Sequence, residues 1–365
     1  MIRLSWVQAR TQTMMAAALV AIVALVLAVS GPHLVHLYAT LVSPCASHGD
    51  CATATSAFLN HDSALRTWLG GVVIAAPGLV GIFWGAPLVA REIEDGTFRL
   101  AWTQSVTRTR WLAVKLAVVG VISMAVAGVV TLAVTWWASP LDRANLNRFG
   151  TFDQRDLVPI GYAALAFALG VAASVVIRRA LPAMATTLAA FVALRLAISH
   201  WIRPQLFAPA HATFAVSPGL NGSSITGVGP GSAGPNTLSL GTPNIPNAWI
   251  RSAQLVDQSG HAITERVMQA TCPTLGSGSP GGGGGGPGGV GGLFGSSGHH
   301  SEVPVGAQNA LQDCITKVAA RYHEVVTYQP ANRYWAFQWS ELAICLAAAV
   351  VVAGVCLWWV RHRLA

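Results

Sequence analysis

A chain of 365 residues with 53% hydrophobic and only 10% charged residues cannot cover its own surface in water, since an ordinary soluble domain carries about 25% charged residues. The net charge of +8 is not the footprint of a nucleic-acid binder, because the basic residues stand singly or in pairs beside apolar blocks instead of massing on one face. Composition therefore points to lipid as the solvent, and the pattern predicts an all-α integral membrane protein with six transmembrane helices.

Crossing a hydrocarbon core takes about 20 helical residues, and six stretches qualify. After a short basic segment (1–13), the first span runs from about Met14 to His36, with Ala16 to Val29 wholly apolar. Arg3 and Arg10 precede it as they would a secretory signal, but the apolar run is longer than a signal core and no small-x-small cleavage site follows Ser30. The second span, Leu69 to Ala90, carries Gly81 and Gly85 in a spacing that lets helix backbones approach closely, and Pro77 and Pro87 predict kinks. The third, Trp111 to Ala138, ends in Trp136 and Trp137, which suit the headgroup level. The fourth is Leu157 to Ile177. Arg178 and Arg179 then leave room only for a tight turn, so the fifth span, Ala180 to Ile202, returns antiparallel. The sixth is Tyr334 to Val360, followed by a short tail (361–365).

Six spans place both termini on one side. With the termini inside, the inner segments hold eleven basic residues: Arg3, Arg10, Arg91, Arg99, Arg108, Arg110, Lys115, Arg178, Arg179, Arg361 and Arg363. The short outer loops hold four, Arg66, Arg143, Arg148 and Arg155. The positive-inside bias therefore predicts N-in, C-in. Cysteines follow the same division. Cys45 and Cys51 lie in the first outer loop and Cys272 and Cys314 in the last, and none lies in an inner segment. Four cysteines permit three pairings; a shared loop favours Cys45–Cys51 and Cys272–Cys314. Cys345 and Cys356 sit about 16 Å apart along one helix, too far to bridge, and read as small buried hydrophobes.

A long segment (204–333) separates the last two spans, and positive-inside orientation makes it a large extracytoplasmic loop. Its stretch from Ser277 to Ser297 is nearly pure glycine and reads as a disordered insert. Beyond it, Leu311, Ile315, Val318 and Tyr322 recur at helical spacing, which predicts an amphipathic helix over Ala307 to Val326. The expectation is a small helical cap carrying the insert, without a compact domain.

Catalytic signatures are missing from the sequence. There is no GxxxxGK[ST] phosphate-binding loop, and no GxSxG marks a nucleophile. His33 and His36 share a helix face and His299 and His300 are adjacent, but none has a cysteine or carboxylate at a ligand spacing that makes a strong zinc motif. Cofactors are accordingly expected to be none. Two features stand out. The inner loop from Arg91 to Lys115 is the most highly charged stretch and mixes both signs with Phe98, Leu100 and Trp102. Arg195 is a charge inside the fifth span, where a charge is costly and faces protein or water. Glu341, at the start of the sixth span, is its natural counter-charge, so an intramembrane ion pair Arg195–Glu341 is predicted.

The run Arg91-Glu92-Ile93-Glu94-Asp95-Gly96-Thr97-Phe98-Arg99, followed by Trp102, Arg108, Arg110, Trp111 and Lys115, resembles the permease subunits of actinobacterial ABC-2-type ABC transporters. The segment Tyr328 to Gln338, through Glu341, is similar to the start of their last span. The glycine-rich insert departs from that pattern. The resemblance implies a connecting helix over Met1 to Gln12 and a coupling loop over 91–110 within the membrane domain (14–203). Arg91, Glu92, Glu94, Asp95, Gly96, Thr97 and Arg99 would dock on a separate ATP-binding subunit, which would hold the ATP. A second permease copy, identical or related, would complete the substrate path in the cell membrane. Two readings compete: an ion-coupled carrier, disfavoured because the spans hold no carboxylate apart from Glu341 near an end, and an accessory or sensor subunit. Partners on any of these readings are membrane lipid and protein, with no nucleic acid.

Overall fold

The computed structural model describes residues 2–45, 51–94, 107–144, 147–215, 225–231, 234–240, 245–263, 313 and 316–363. The chain divides into two compact units, Met1–Ala208 with Asn332–Ala365, and Pro209–Ala331.

Six helices of the first unit are long and apolar enough to cross a membrane: Val20–Leu41, Ser63–Glu92, Thr109–Trp137, Arg148–Ile177, Ala180–Gln205 and Ala331–His362. They correspond one for one with the six apolar stretches of the sequence. The first belongs to helix α1 (Ile2–Leu41), which continues without a break through the boundary drawn at residue 13. A short helix α2 (Ala52–His61) leads into the second span, made of α3 (Ser63–Val80), a π-helical turn (Gly81–Gly85) and α4 (Ala86–Glu94). The third span is α5 (Arg108–Trp137), followed by the one-turn α6 (Ser139–Arg143) and a 3-10 segment (Arg148–Gln154). The fourth and fifth are α7 (Val158–Ile177) and α8 (Ala180–Ala197), and α8 runs on through a π-turn (Ile198–Ile202) into a 3-10 turn (Arg203–Gln205). The sixth is α9 (Tyr334–Arg363).

Helix α7 is the hub. Two-thirds (67%) of the apolar core of its span is buried inside the chain, against 22% for the first, third, fifth and sixth spans. A helix that is apolar all round can be enclosed this way, provided its neighbours can come close. Small residues allow that here. A Cβ on Gly81 would stand 2.5 Å from the Ala166 carbonyl oxygen, and one on Gly85 would stand 2.7 Å from that of Phe167. Gly81 and Gly85 therefore form the close-packing stripe that their spacing predicts. Pro77 is accommodated within α3, and the irregularity it heralds appears four residues later as the π-turn, a wide turn that absorbs a broken hydrogen-bond ladder.

The turn between α7 and α8 is as tight as the sequence requires. Arg178 takes the left-handed conformation (φ 61°), Arg179 is extended, and α8 begins at Ala180. The ring of Tyr162, early in α7, stacks edge-on against that of Phe191, late in α8, so the two helices run antiparallel. The two tryptophans closing α5 diverge. Trp136 is exposed, whereas Trp137 is buried and donates from Nε1 to Ser30 Oγ of α1 at 2.9 Å. Cys45 and Cys51 are joined in a disulfide between α1 and α2, as their shared loop favours. Cys345 and Cys356 are free and buried. Cys272, Cys314 and the glycine-rich insert (277–297) lie outside the described residues.

The second unit corrects the expected helical cap. It holds a three-stranded antiparallel sheet in the order β1 (Ala210–Ala215), β5 (Tyr322–Gln329), β4 (Trp249–Asp257), together with a hairpin of β2 (Ile225–Gly231) and β3 (Gly234–Leu240). Val326 pairs with Ala212 on one side and Ala253 on the other. Within the segment predicted as one helix, only 313 and 316–321 are helical among the described residues, and strand takes over at Tyr322. The physical reason lies in Tyr322-His323-Glu324-Val325-Val326-Thr327-Tyr328. Aromatic and β-branched residues there favour a pleated surface, and a central strand buries them on both sides, which a lone amphipathic helix could not do.

Candidate functional site

Two charged clusters occupy opposite ends of the helical unit. At the end bearing the disulfide, the 3-10 segment Arg148–Gln154, the start of α7, the end of α8 and the start of α9 converge. Arg155, fully buried, makes a two-pronged ion pair with Asp142, Nη1 to Oδ1 at 3.0 Å and Nη2 to Oδ2 at 2.6 Å. Arg148 donates to the same carboxylate at 3.2 Å, and Arg155 Nε lies 3.6 Å from Asp156. Asp156 also accepts from the Tyr334 hydroxyl at 2.6 Å. Gln338 ties this group to the helix start. Its Oε1 accepts from the backbone N–H of both Leu157 and Val158 at 3.0 Å, satisfying amides that a helix N-terminus leaves orphaned.

Arg203 is the second centre of this cluster. Its guanidinium donates from Nε to Glu341 Oε2 at 2.7 Å and from Nη2 to Oε1 at 2.8 Å, and its Nη1 reaches Asp153 at 3.1 Å. Glu341 is completely buried and also accepts from the Tyr162 hydroxyl at 2.8 Å. The predicted direct pair Arg195–Glu341 is thereby corrected. Glu341 opens α9 and meets the end of the preceding span, where Arg203 stands, while Arg195 lies eight residues, about 12 Å of helix, deeper. The long side chain of Arg195 runs back toward the same end. There its Nη2 comes within 3.4 Å of Asp153, and its guanidinium lies over the Tyr162 ring, 4.6 Å from the centroid. Arg195 and Glu341 thus share Tyr162 as a neighbour without pairing, and Asp153 and Arg203 link them. Arg195 Nη1 is buried and without a hydrogen-bond partner.

Four arginines (148, 155, 195, 203) and four carboxylates (142, 153, 156, 341) make up this cluster, so its formal charge is zero. Sequence reasoning missed Arg203 and Asp153 as members. The available signal was the run Asp153-Gln154-Arg155-Asp156 directly before an apolar span, with Arg203 directly after one.

At the opposite end, Arg91, Glu92 and Glu94 close α4. Glu92 forms an ion pair with Lys115 of α5, and Lys115 is buried, its ammonium 4.4 Å from the centre of the Trp111 ring. Glu94 Oε1 accepts from the backbone N–H of Ala180 at 3.0 Å, placing a carboxylate at the positive end of α8. On the far side of the loop, Thr107 caps α5 by accepting from the Arg110 N–H at 3.4 Å. Both flanks of the predicted coupling loop are therefore anchored, the first on α5 and α8 together. Arg91 is exposed. Asp95, Gly96, Thr97 and Arg99 lie outside the described residues.

Six helices long and apolar enough to cross a membrane, with charged side chains gathered at the two ends of the unit, define a multi-pass helical membrane protein. The chain belongs to the ABC-2 membrane transporter related family, which it matches over residues 17–203, the stretch that comprises the first five spans. Neither a curated protein nor a solved structure matches it. It is thus an ABC-2-type permease, a membrane component of ABC transporters.

Proposed function

We propose that this chain is the permease subunit of an ATP-driven exporter of the cell membrane, lining the substrate path as a dimer. A separate ATP-binding subunit drives it through the loop 91–110, which faces the cytoplasm in an N-in, C-in arrangement. The observation that carries this reading is the family match over residues 17–203. The anchoring of the loop supports it: a force applied at 91–110 reaches α5 through Glu92–Lys115 and α8 through Glu94–Ala180, so one docking event is felt by three spans. The Arg195–Asp153–Arg203–Glu341 cluster suits the closed outer end of the path, with the spare Nη1 of Arg195 available to a substrate acceptor.

Co-purification is the test. The tagged chain is expressed with a candidate ATP-binding subunit, in parallel with an Arg91→Ala/Asp95→Ala/Arg99→Ala version that spares the anchoring carboxylates. Recovery of the ATPase with the native chain and its loss with the variant is the expected result. Recovery with both moves docking elsewhere; recovery with neither overturns the proposal.

A further inference from the structure

We propose that His33, His61 and Asp62 form a binding site for a divalent transition cation of the zinc class. His61 and Asp62 are neighbours in the sequence, and His33 comes from 28 residues earlier. His33 is on α1, His61 is the last residue of α2, and Asp62 is the single residue joining α2 to α3. The fold brings one ligand atom from each to within 4.8 Å of the others. His61 Nδ1 stands 3.4 Å from Asp62 Oδ1, and the rings of His33 and His61 lie 5.7 Å apart at a 48° tilt, an arrangement in which ring nitrogens converge instead of faces stacking.

Asp62 supplies independent evidence. Its Oδ2 is buried and accepts no hydrogen bond. The residue occupies the N-cap position of α3, where an aspartate ordinarily accepts from the first amides of its helix, yet its side chain makes no such bond. The nearby Arg66 directs its guanidinium to the Leu59 carbonyl instead. A carboxylate beside two imidazoles that forgoes its local amides is poised for a cation.

Donor chemistry selects the class. Two imidazoles and one carboxylate suit zinc and its neighbours, whereas calcium and magnesium take oxygen donors. Zinc bonds of about 2.0–2.2 Å set tetrahedral ligand atoms about 3.4 Å apart. The His61–Asp62 distance already meets that. His33 and His61 are exposed, so their rings are free to make the remaining closure of about 1 Å, and the fourth position stays open to water. His36, on the α1 face that the sequence pairs with His33, has no place in the cluster. The Cys45–Cys51 bridge lies at the start of α2 and the proposed site at its end, so disulfide and metal would fasten α2 to the α1 side at two separate points.

The test uses the full chain in detergent, purified without a polyhistidine tag, carrying His299→Ala and His300→Ala, and stripped with EDTA. Zinc chloride is titrated against a chromophoric chelator, metal content is measured after desalting, and Co2+ is used as a spectroscopic substitute. One zinc per chain and a raised thermal midpoint are expected. His33→Gln, His61→Gln and Asp62→Asn should each weaken zinc binding by at least about tenfold and abolish the Co2+ visible bands, while His36→Gln changes neither. Each variant's elution profile and thermal midpoint in EDTA should match the parent's, which separates loss of a ligand from loss of the fold. Absence of stoichiometric zinc in the parent, or unchanged affinity in all three ligand variants, overturns the site.

Discussion

The two ends of the helical unit handle charge in opposite ways. At the disulfide end, four arginines and four carboxylates cancel within one hydrogen-bonded cluster. At the other end, Arg91, Arg110, Arg178, Arg179 and Arg361 are exposed, and Glu92–Lys115 is the sole ion pair there among the described residues. A count of arginines treats the ends as differing in degree. Pairing shows that they differ in kind, because Arg148 and Arg155, two of the four basic residues assigned to the short outer loops, are matched by Asp142 and Asp156. The orientation expectation itself is unchanged by this pairing, because the positive-inside rule counts Lys and Arg and gives acidic partners little weight.

That contrast can be broken in order of expected effect. Glu341→Ala should be the most damaging, since it leaves Arg203 buried without its bidentate partner; a loss of about 3–5 kcal/mol is expected for breaking a buried pair from one side. The drop should appear as aggregation or a lowered thermal midpoint on size-exclusion and scanning fluorimetry in detergent. Near-native behaviour would mean that Asp153 alone holds Arg203. Reducing the covalent brace of the same end with Cys45→Ser/Cys51→Ser should cost about 2 kcal/mol, given the short loop it closes. The change should be read as the same thermal shift with the charged cluster intact.

The opposite end should respond more in coupling than in stability. Lys115→Met keeps the apolar stem over Trp111 and removes the partner of Glu92, at a cost of about 1–2 kcal/mol. Its distinguishing readout is a fall in transporter ATPase activity or subunit recovery out of proportion to the thermal shift. Smallest of all should be Arg178→Ala, an exposed charge, whose effect should fall within about 0.5 kcal/mol. The same position carries the sharpest test of orientation. Arg178→Cys should react with an impermeant maleimide only in inside-out vesicles, and reaction in right-side-out cells would reverse the topology.

Much of the fold was legible because lipid imposes a simple rule. A crossing segment must satisfy its own backbone hydrogen bonds and present apolar side chains, so Ala16 to Val29 or Trp111 to Ala138 declare themselves without reference to partners. The tight turn at Arg178–Arg179 and the Gly81/Gly85 stripe were readable for similar local reasons. The segment between the fifth and sixth spans obeys no such rule. Its helical spacing at Leu311, Ile315, Val318 and Tyr322 competed with the strand preference of Val325-Val326-Thr327, and pairing with β1 and β4, more than 60 residues away in the chain, decided between them. Arg195 and Glu341 were rightly singled out as costly charges, but their partners depended on where Arg203 and Asp153 arrive when α7, α8 and α9 pack.

Sequence alone determined that this is a six-span helical membrane protein, which spans it has, and which connecting loop is most highly charged, because hydropathy and length act residue by residue along the chain. Tertiary structure decided what meets across it: the centrality of α7, the eight-charge cluster, the anchoring of the flank of the 91–110 loop on α5 and α8, and the convergence of His33 with His61 and Asp62. Ion pairs and ligand sets are properties of distance in space, and sequence separation carries almost no information about that distance once helices have packed.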